Sequence, residues 1–600
     1  MSDRTLRACL PRAQGRAQGL LAGATHRQTK TATDMYLIAF ATDYDGTLAH
    51  DGRVEAPTID ALERLRDSGR KRLLVTGREL PDLERVFDRL DLFDVVVAEN
   101  GALLYFPETQ EERPVAAQPP AELVAALQAR GVQPLSVGRG IIATWEPNER
   151  AVLECIRDLG LEWQIIFNKG AVMVLPPGVN KATGLAAGLL ELGLSPLNVA
   201  AIGDAENDHA FLTACGCSIA VANALDAVKK TADLVTHADH GAGVVEAIDA
   251  ILAEDSRPLA AAARRRRITL GDHDDAGLSV DGGAVLIAGS SGLGKSTLAT
   301  AILEKLAAQG FQICVLDPEG DYDDLEGAVV LGDAKNQPAG NEVTDFLRRP
   351  DTVPLVVNLL GFAVQDRPGF FRELITRIGD LRGRYARPHW LLVDEAHHML
   401  PGAADIAASL PAELAATIYV TVHPDQMARQ ALEGVRTVIG VGPQAGDVLR
   451  SFCQTIAIEP PPVPEGDARE DVLFWNRDRA QAPRWLKPGL PRQGHKRHTR
   501  KYAEGELGED KSFYFRGPEG SLNLRAQNLL LFLQIADGVD DATWLFHLHR
   551  GDYARWFRDA IKDDRLADEA ERLQDGQDAA QTRAQMREIV ERRYTAPAKG

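Results

Sequence analysis

The segment ATDYDGTLAH (41–50) sets two carboxylates, Asp43 and Asp45, two residues apart directly after an apolar, strand-like run. Alternate side chains of a strand share a face, and open α/β sheets place ligands at the carboxyl ends of their strands. Further along come Thr76 in VTGR, Lys181 in NKATG, and Asp204 and Asp208 in GDAENDHA, each beside a strand-like run. Carboxylates so placed are nucleophiles, proton carriers and ligands for hard cations. Taken singly, DYDGT and GDAEND also read as Asp/Gly and Asx turns. Their ordered recurrence after strands argues for a site instead.

A second set occupies another part of the chain. The run AVLIAGSSGLGKSTLATAILEKL is a strand, then Gly289-x-x-x-x-Gly294-Lys295-Ser296, then a helix. Gly289, Gly292 and Gly294 let backbone N–H groups wrap phosphates, with Thr297 following in the helical first turn. Lys295 reaches the outer phosphate oxygens, and Ser296 binds magnesium. In LLVDEAHH an apolar strand ends in Asp394, placed to hold magnesium, and Glu395, placed to polarise water. ATP and Mg2+ are the cofactors this pattern expects.

The elements around both sets are α/β. From Met35 to about Leu252, β-rich runs alternate with helical patterns, as parallel strands joined by helices require. Residues 102–178 break that rhythm and fit an inserted cap, in which Trp145, Asn168 and Lys169 are candidate substrate contacts and Trp145 equally a core residue. A second α/β series spans 268–460. Residues 255–267 and 461–495 read as linkers, 496–575 as a helical accessory domain, 576–600 as a flexible tail and 1–34 as a disordered extension, a transit peptide or an upstream start before Met35. In 496–575 the sequence FYFRGPEG suggests a hairpin or turn. Trp544 and Trp556 read as helix core, and His547 and His549 splay to different faces, so no metal is assigned there.

Lys and Arg number 67 against 86 Asp and Glu, a net charge of −19, so binding to nucleic acid by gross charge is excluded. A local basic patch, Arg264–Arg267 or Lys496–Lys501, would be needed, and a solvated surface explains such runs more simply. The six scattered cysteines form no CxxC pair, and no apolar run approaches a bilayer's width, so the chain reads as a cytoplasmic protein without membrane partners.

Over 35–254 the four motifs together resemble the haloacid dehalogenase superfamily, specifically its Cof-like, type IIB capped phosphatases. The resemblance implies a Rossmann-like parallel sheet with an inserted α+β cap and hydrolysis of a phosphate monoester through an aspartyl-phosphate. It makes Asp43 the nucleophile, Asp45 the proton carrier, Thr76 and Lys181 the phosphoryl contacts, and Asp204 with Asp43, Asp45 and Asp208 the magnesium site. Asn100 and Asn207 have supporting roles. A compact cap implies a small substrate, such as a sugar phosphate or phosphoglycolate.

Over 268–460 the chain resembles the HerA/FtsK-like branch of RecA-type ATPases, through the P-loop, the LDPEGDYDDL segment and TVHP at the sensor strand. Val422 stands where that branch has a polar sensor, with His423 either replacing it or capping a strand. The resemblance implies hexameric rings with an arginine supplied between subunits, for which Arg382, Arg436 and Arg450 are candidates. The rival to a metabolic phosphatase with an attached ATPase is a nucleic-acid machine that joins a motor to an end-trimming phosphatase. A P-loop kinase is a third reading, which the DEAH-type strand disfavours.

Overall fold

The computed structural model describes residues 36–593, apart from 169, 254–255, 272–275, 281–282, 291–292, 403–415, 467–470, 479–480, 492–506, 508–511 and 562. The extension 1–34, Lys169, Gly292 and the basic run Lys496–Lys501 therefore lie outside the described residues.

The first sheet begins with β1 (Ala39–Asp43), β2 (Lys71–Val75) and β3 (Val95–Ala98), which pair in parallel, and continues antiparallel into β4 (Leu103–Phe106) and β5 (Glu111–Pro114). An excursion then builds the cap, an antiparallel sheet of β6 (Ser136–Val137), β7 (Ile142–Trp145), β8 (Gln164–Asn168) and β9 (Ala171–Leu175), in the order β6-β7-β9-β8. The helices Ala121–Ala129 and Glu149–Asp158 back it, closing a small core around Leu123, Leu127, Val152, Val172 and Val174. The chain returns with β10 (Val199–Gly203), β11 (Cys217–Ala220) and β12 (Leu234–Val235), giving the order β12-β11-β10-β1-β2-β3-β4-β5. β1, β3, β10 and β11 are buried throughout, which is why they read as unbroken apolar runs and not as alternating ones. The cap is shorter than the sequence suggests, because residues 103–114 belong to the main sheet.

The expected linker 255–267 is a helix, Ser256–Arg266. Pro258 sits in its first turn, where a missing N–H costs nothing, and Ala262 is buried in the first core. Arg265 pairs with Asp233 at 2.7 Å, and Arg265 and Arg266 both donate to carbonyls at the end of the helix His209–Ala214. These two arginines thus hold the fold together.

A short antiparallel pair, β13 (Ile268–Thr269) and β14 (Gly277–Leu278), opens the second module. Its sheet contains β15 (Ala284–Gly289), β16 (Ile313–Asp317), β17 (Val329–Leu331), β18 (Leu355–Asn358), β19 (Trp390–Val393), β20 (Thr417–Thr421) and β21 (Val435–Val441), all parallel. The expected linker 461–495 instead supplies β22 (Val472–Asn476) and β23 (Arg484–Leu486), which extend the sheet antiparallel. Val472 and Phe474 pack into the core on one face and Leu473 into that on the other. The nine strands run β17-β18-β16-β19-β20-β15-β21-β22-β23, so β20 lies between the P-loop strand and the DEAH strand.

The C-terminal region pairs β24 (Phe513–Phe515) with β25 (Leu524–Ala526) as a hairpin beneath helices whose core holds Phe532, Trp544, Tyr553 and Trp556. His547 and His549 do take separate partners, Asp552 at 2.9 Å and the Gly576 carbonyl at 2.9 Å. Most of the expected tail is the helix Ala579–Arg593. Its Met586 and Val590 are buried, and its Thr582 hydroxyl accepts the Trp544 indole N–H at 2.9 Å.

The two α/β modules meet back to back. Asn198, just before β10, donates to the Tyr36 carbonyl and receives His389, just before β19, on its side-chain oxygen at 3.1 Å. The other ring nitrogen of His389 accepts the Gln312 N–H at 2.8 Å, which fixes the tautomer with the proton on Nε2. Burial pulls His389 down to about 3, so it is neutral. The contact therefore joins the amino ends of strands, while both sets of chemical residues sit at carboxyl ends.

Candidate active sites

Asp43 ends β1 and Thr76 follows β2. Asp204 follows β10 and Lys181 opens the helix Lys181–Glu191. That helix is fixed at its start by a reciprocal cap, Asn180 accepting the N–H groups of Ala182 and Thr183 while the Thr183 hydroxyl accepts the Asn180 N–H. The cap holds Lys181 at the sheet edge, where its ammonium bridges Asp43 Oδ1 at 2.5 Å and Asp208 Oδ1 at 2.6 Å. The other Asp208 oxygen accepts the N–H groups of Asp204 and Ala205, both at 2.9 Å. A Cβ at Gly203 would come within 2.7 Å of that oxygen, which is why a glycine precedes Asp204. Thr47 donates to Asp204 Oδ1 at 3.2 Å.

Asp43, Asp204 and Asp208 are buried and can each offer one oxygen within 4.8 Å of the others. Three carboxylates face one ammonium. Burial, with Asp208 and Asp204 nearby, pushes Asp43 up to about 8 against the pull of Lys181. Burial alone would lower Lys181, yet Asp208 and Asp43 hold it above the ordinary lysine range. An all-oxygen, net-negative cluster fits a hard divalent cation such as Mg2+.

Asp45 lies beside this cluster and is only partly buried. Arg78 grips it in a fork, Nε to Oδ2 and Nη2 to Oδ1, both 2.7 Å, and donates as well to Asp82. Hydrogen bonding to Asp45 raises the Arg78 pKa. Sequence reasoning passed over Arg78, although it stands two residues after Thr76 and its N–H donates to the Thr76 hydroxyl at 3.1 Å. Trp145 is half exposed on the cap sheet, so the reading of it as core is overturned. The Asn168 side chain lies outside the described residues.

In the second module β15 ends at Gly289, and Gly294, at φ 95°, starts the helix Lys295–Ala308. Lys295 is buried and its ammonium donates to the Ser290 carbonyl at 3.1 Å, while Ser296 and Thr297 occupy the first turn. Asp394 is buried directly after β19, and Glu395 follows with φ 42°, a strained conformation for a non-glycine residue. His397 sits 3.1 Å from the Thr421 hydroxyl and 3.5 Å from Glu395 Oε2, and its ring lies 5.4 Å from that of His423. Burial and the neighbouring His398 and His423 pull His397 down to about 4. Thr421 and His423 thus bring polar groups to the DEAH strand where Val422 has none. Gln444 accepts the Ser290 hydroxyl at 2.8 Å and has only its place after β21 as a sequence signal, whereas Thr421 and His397 lie within TVHP and LLVDEAHH.

Arg382 is interior, donating to the Pro388 carbonyl, with burial pulling it down to about 10, so it is no inter-subunit arginine. Arg436 begins β21, at the amino edge away from the P-loop, facing Asp478 at 3.7 Å. Arg450 pairs with Asp447 at 2.5 Å on the helix Ala445–Thr455, which starts beside the P-loop at Gln444.

Residues 40–136 and 157–248 match the family model described as haloacid dehalogenase-like hydrolase, and residues 284–371 match that described as Helicase HerA, central domain. The phosphoglycolate phosphatase of Methanothermobacter thermautotrophicus is 33% identical over 220 residues, 35% of this chain and 96% of the relative. That of Haloarcula marismortui is 32% identical over 215 residues, 34% of this chain and 93% of the relative. Phosphoglycolate phosphatase 2 of Saccharolobus solfataricus is 30% identical over 220 residues, 36% of this chain and 92% of the relative. Through its first module this chain belongs to the haloacid dehalogenase-like hydrolases, and a HerA-like P-loop domain is joined behind it.

Proposed function

We propose that the first module is a Mg2+-dependent phosphatase acting on a small phosphate monoester, phosphoglycolate or a sugar phosphate, and that the second binds and hydrolyses ATP. The observation that carries the first part is the buried cluster of Asp43, Lys181, Asp204 and Asp208 at one sheet edge. In this reading an Asp43 oxygen bonds to phosphorus as the ester P–O bond breaks, and Asp45 gives its proton to the leaving oxygen. Asp45 then takes a proton from the water that attacks the aspartyl-phosphate, which regenerates Asp43 and releases inorganic phosphate. Thr76 and Lys181 hold the phosphoryl oxygens. Asp43 and Asp204 would hold Mg2+, which would supply charge neutralisation between the Asp43 carboxylate and a dianionic phosphate. Arg78 aims Asp45 until the substrate displaces part of the fork.

In the second module Lys295, Ser296 and Asp394 would hold ATP and its Mg2+, and Glu395 would orient the attacking water. A rival reading, a nucleic-acid motor with an end-trimming phosphatase, draws on the HerA central-domain match. Against it, Arg265 and Arg266 are spent inside the fold. No helix among the described residues is long and apolar enough to cross a membrane.

The test is phosphate release from phosphoglycolate, sugar phosphates, nucleotides and 3′- or 5′-phosphorylated oligonucleotides, with Mg2+, with and without ATP. Preference for a small ester supports the metabolic reading. Preference for oligonucleotide ends, together with DNA-stimulated ATP turnover that falls steeply with salt, would replace it with the motor.

A further inference from the structure

Between β3 and β4 the chain passes through Glu99, Asn100 and Gly101 at φ 53°, 54° and 103°. Two of these three are not glycines, and a left-handed backbone at such residues persists only where the surroundings over-determine it. The surroundings here are the catalytic loops. The Glu99 N–H donates to the Arg78 carbonyl at 2.9 Å and the Asn100 N–H to the Thr76 carbonyl at 3.0 Å. The Asn100 side-chain oxygen faces the Asn207 amide at 3.4 Å, in the loop that carries Asp204 and Asp208.

The Glu99 side chain turns the other way, toward the cap, and is 1% exposed. Its carboxylate accepts two backbone N–H groups of the cap, Arg139 at 2.9 Å and Gly140 at 2.7 Å. The Arg139 guanidinium is occupied elsewhere, with Glu112, so the carboxylate grips the loop by its backbone. The loop fits tightly, since a Cβ at Gly138 would lie 2.7 Å from the Glu99 carboxyl and one at Gly140 would lie 2.6 Å from the Ala102 Cβ. Beside this contact Met173 of β9 covers Gly77, between Thr76 and Arg78. The cap thus meets the core at the buried Glu99 carboxylate, at the exposed Arg139–Glu112 pair and at the Met173 patch, and a buried carboxylate bonded to two N–H groups is the most directional of these contacts.

We propose that Glu99 is a positioning residue for the phosphatase: its carboxylate docks cap loop 138–140 and, through the strained 99–101 turn, sets Thr76 and Arg78 when the cap is closed. The inference rests on the phosphatase reading. An isosteric change, Glu99→Gln, removes the charge and turns an amide N–H toward one of the two donors. Gly138→Ala presses on the same carboxylate from the cap side.

The experiment uses the full chain with Mg2+ and measures kcat and KM on phosphoglycolate, or on the best ester found, alongside hydrogen exchange at the Arg139 and Gly140 amides. Wild-type hydrogen exchange at the amides of the first module's central strands, Ala39–Asp43 and Val199–Gly203, shows that the variants keep that module folded. Both variants are expected to lower kcat by about tenfold or more and to speed exchange at both amides by a similar factor. Their effects should not add in the double variant, and Asp43→Asn should leave the exchange at wild-type rates. Wild-type kcat in Glu99→Gln, a rise in KM alone, or reduced kcat with unchanged exchange would each overturn the inference while the phosphatase reading stands. A wild-type protein that hydrolyses no ester would overturn both.

Discussion

At the scale of residues, Asp43 carries opposing demands, since the proposed role of nucleophile requires it to be ionised and its surroundings resist that. Its carboxyl titrates from 3.8 in free solution to about 8 in the folded, metal-free site. A folded pKa raised above the unfolded value means that stability present below about pH 4 is lost as pH rises through about 8. Mg2+ opposes that loss by pairing with the ionised form. Thermal unfolding followed with and without Mg2+ should therefore show a larger metal-induced rise in Tm at pH 8 than at pH 5, and equal rises would contradict the assignment of Asp43 as a ligand. Lys181 is the reverse case, a buried ammonium held by two buried carboxylates. Lys181→Met should abolish ester turnover and destabilise the first module by about 3–5 kcal/mol in urea titrations, because it strands like charges in the interior.

At the scale of elements, legibility followed how local the signal was. The strands that end at or just before Asp43, Thr76, Gly289 and Asp394 close in short apolar runs followed by polar or glycine-rich segments, and each lies where that pattern puts it. The helix Ala579–Arg593 was hard to see because its buried face, Ala579, Thr582, Met586 and Val590, keeps helical spacing but includes only two large apolar residues amid charges. Only the aromatic core it covers shows their meaning. Met586→Ala should cost the C-terminal domain about 2–5 kcal/mol in denaturant unfolding, whereas a frayed tail would show no change. β22 was hidden differently, since the prolines at 460–462 and 464 suggest a linker and the strand pairs with β21 across the intervening helix Ala445–Thr455. Arg78 and Glu99 were invisible for a third reason, because each acts through a contact with another loop or with the cap.

At the scale of the whole molecule, the modules share a wall and keep separate chemistry. Asp43→Asn should abolish phosphate-ester hydrolysis while ATP binding and turnover stay at wild-type levels, and Lys295→Ala should do the converse. Loss of both activities in either variant would show that the sites depend on each other. The wall itself can be tested at His389, whose removal leaves the Gln312 N–H and the Asn198 oxygen without that partner. His389→Ala should lower stability by about 1–3 kcal/mol and bring the unfolding transitions of the two modules apart.

Joining strands at their amino ends has a further consequence. Among the described residues the contact of Asn198 with His389 lies at the amino ends of strands, at the opposite end of both sheets from Asp43 and Asp394. A signal passing within the chain from one site to the other would run the length of both sheets and cross the buried contact of Asn198 with His389.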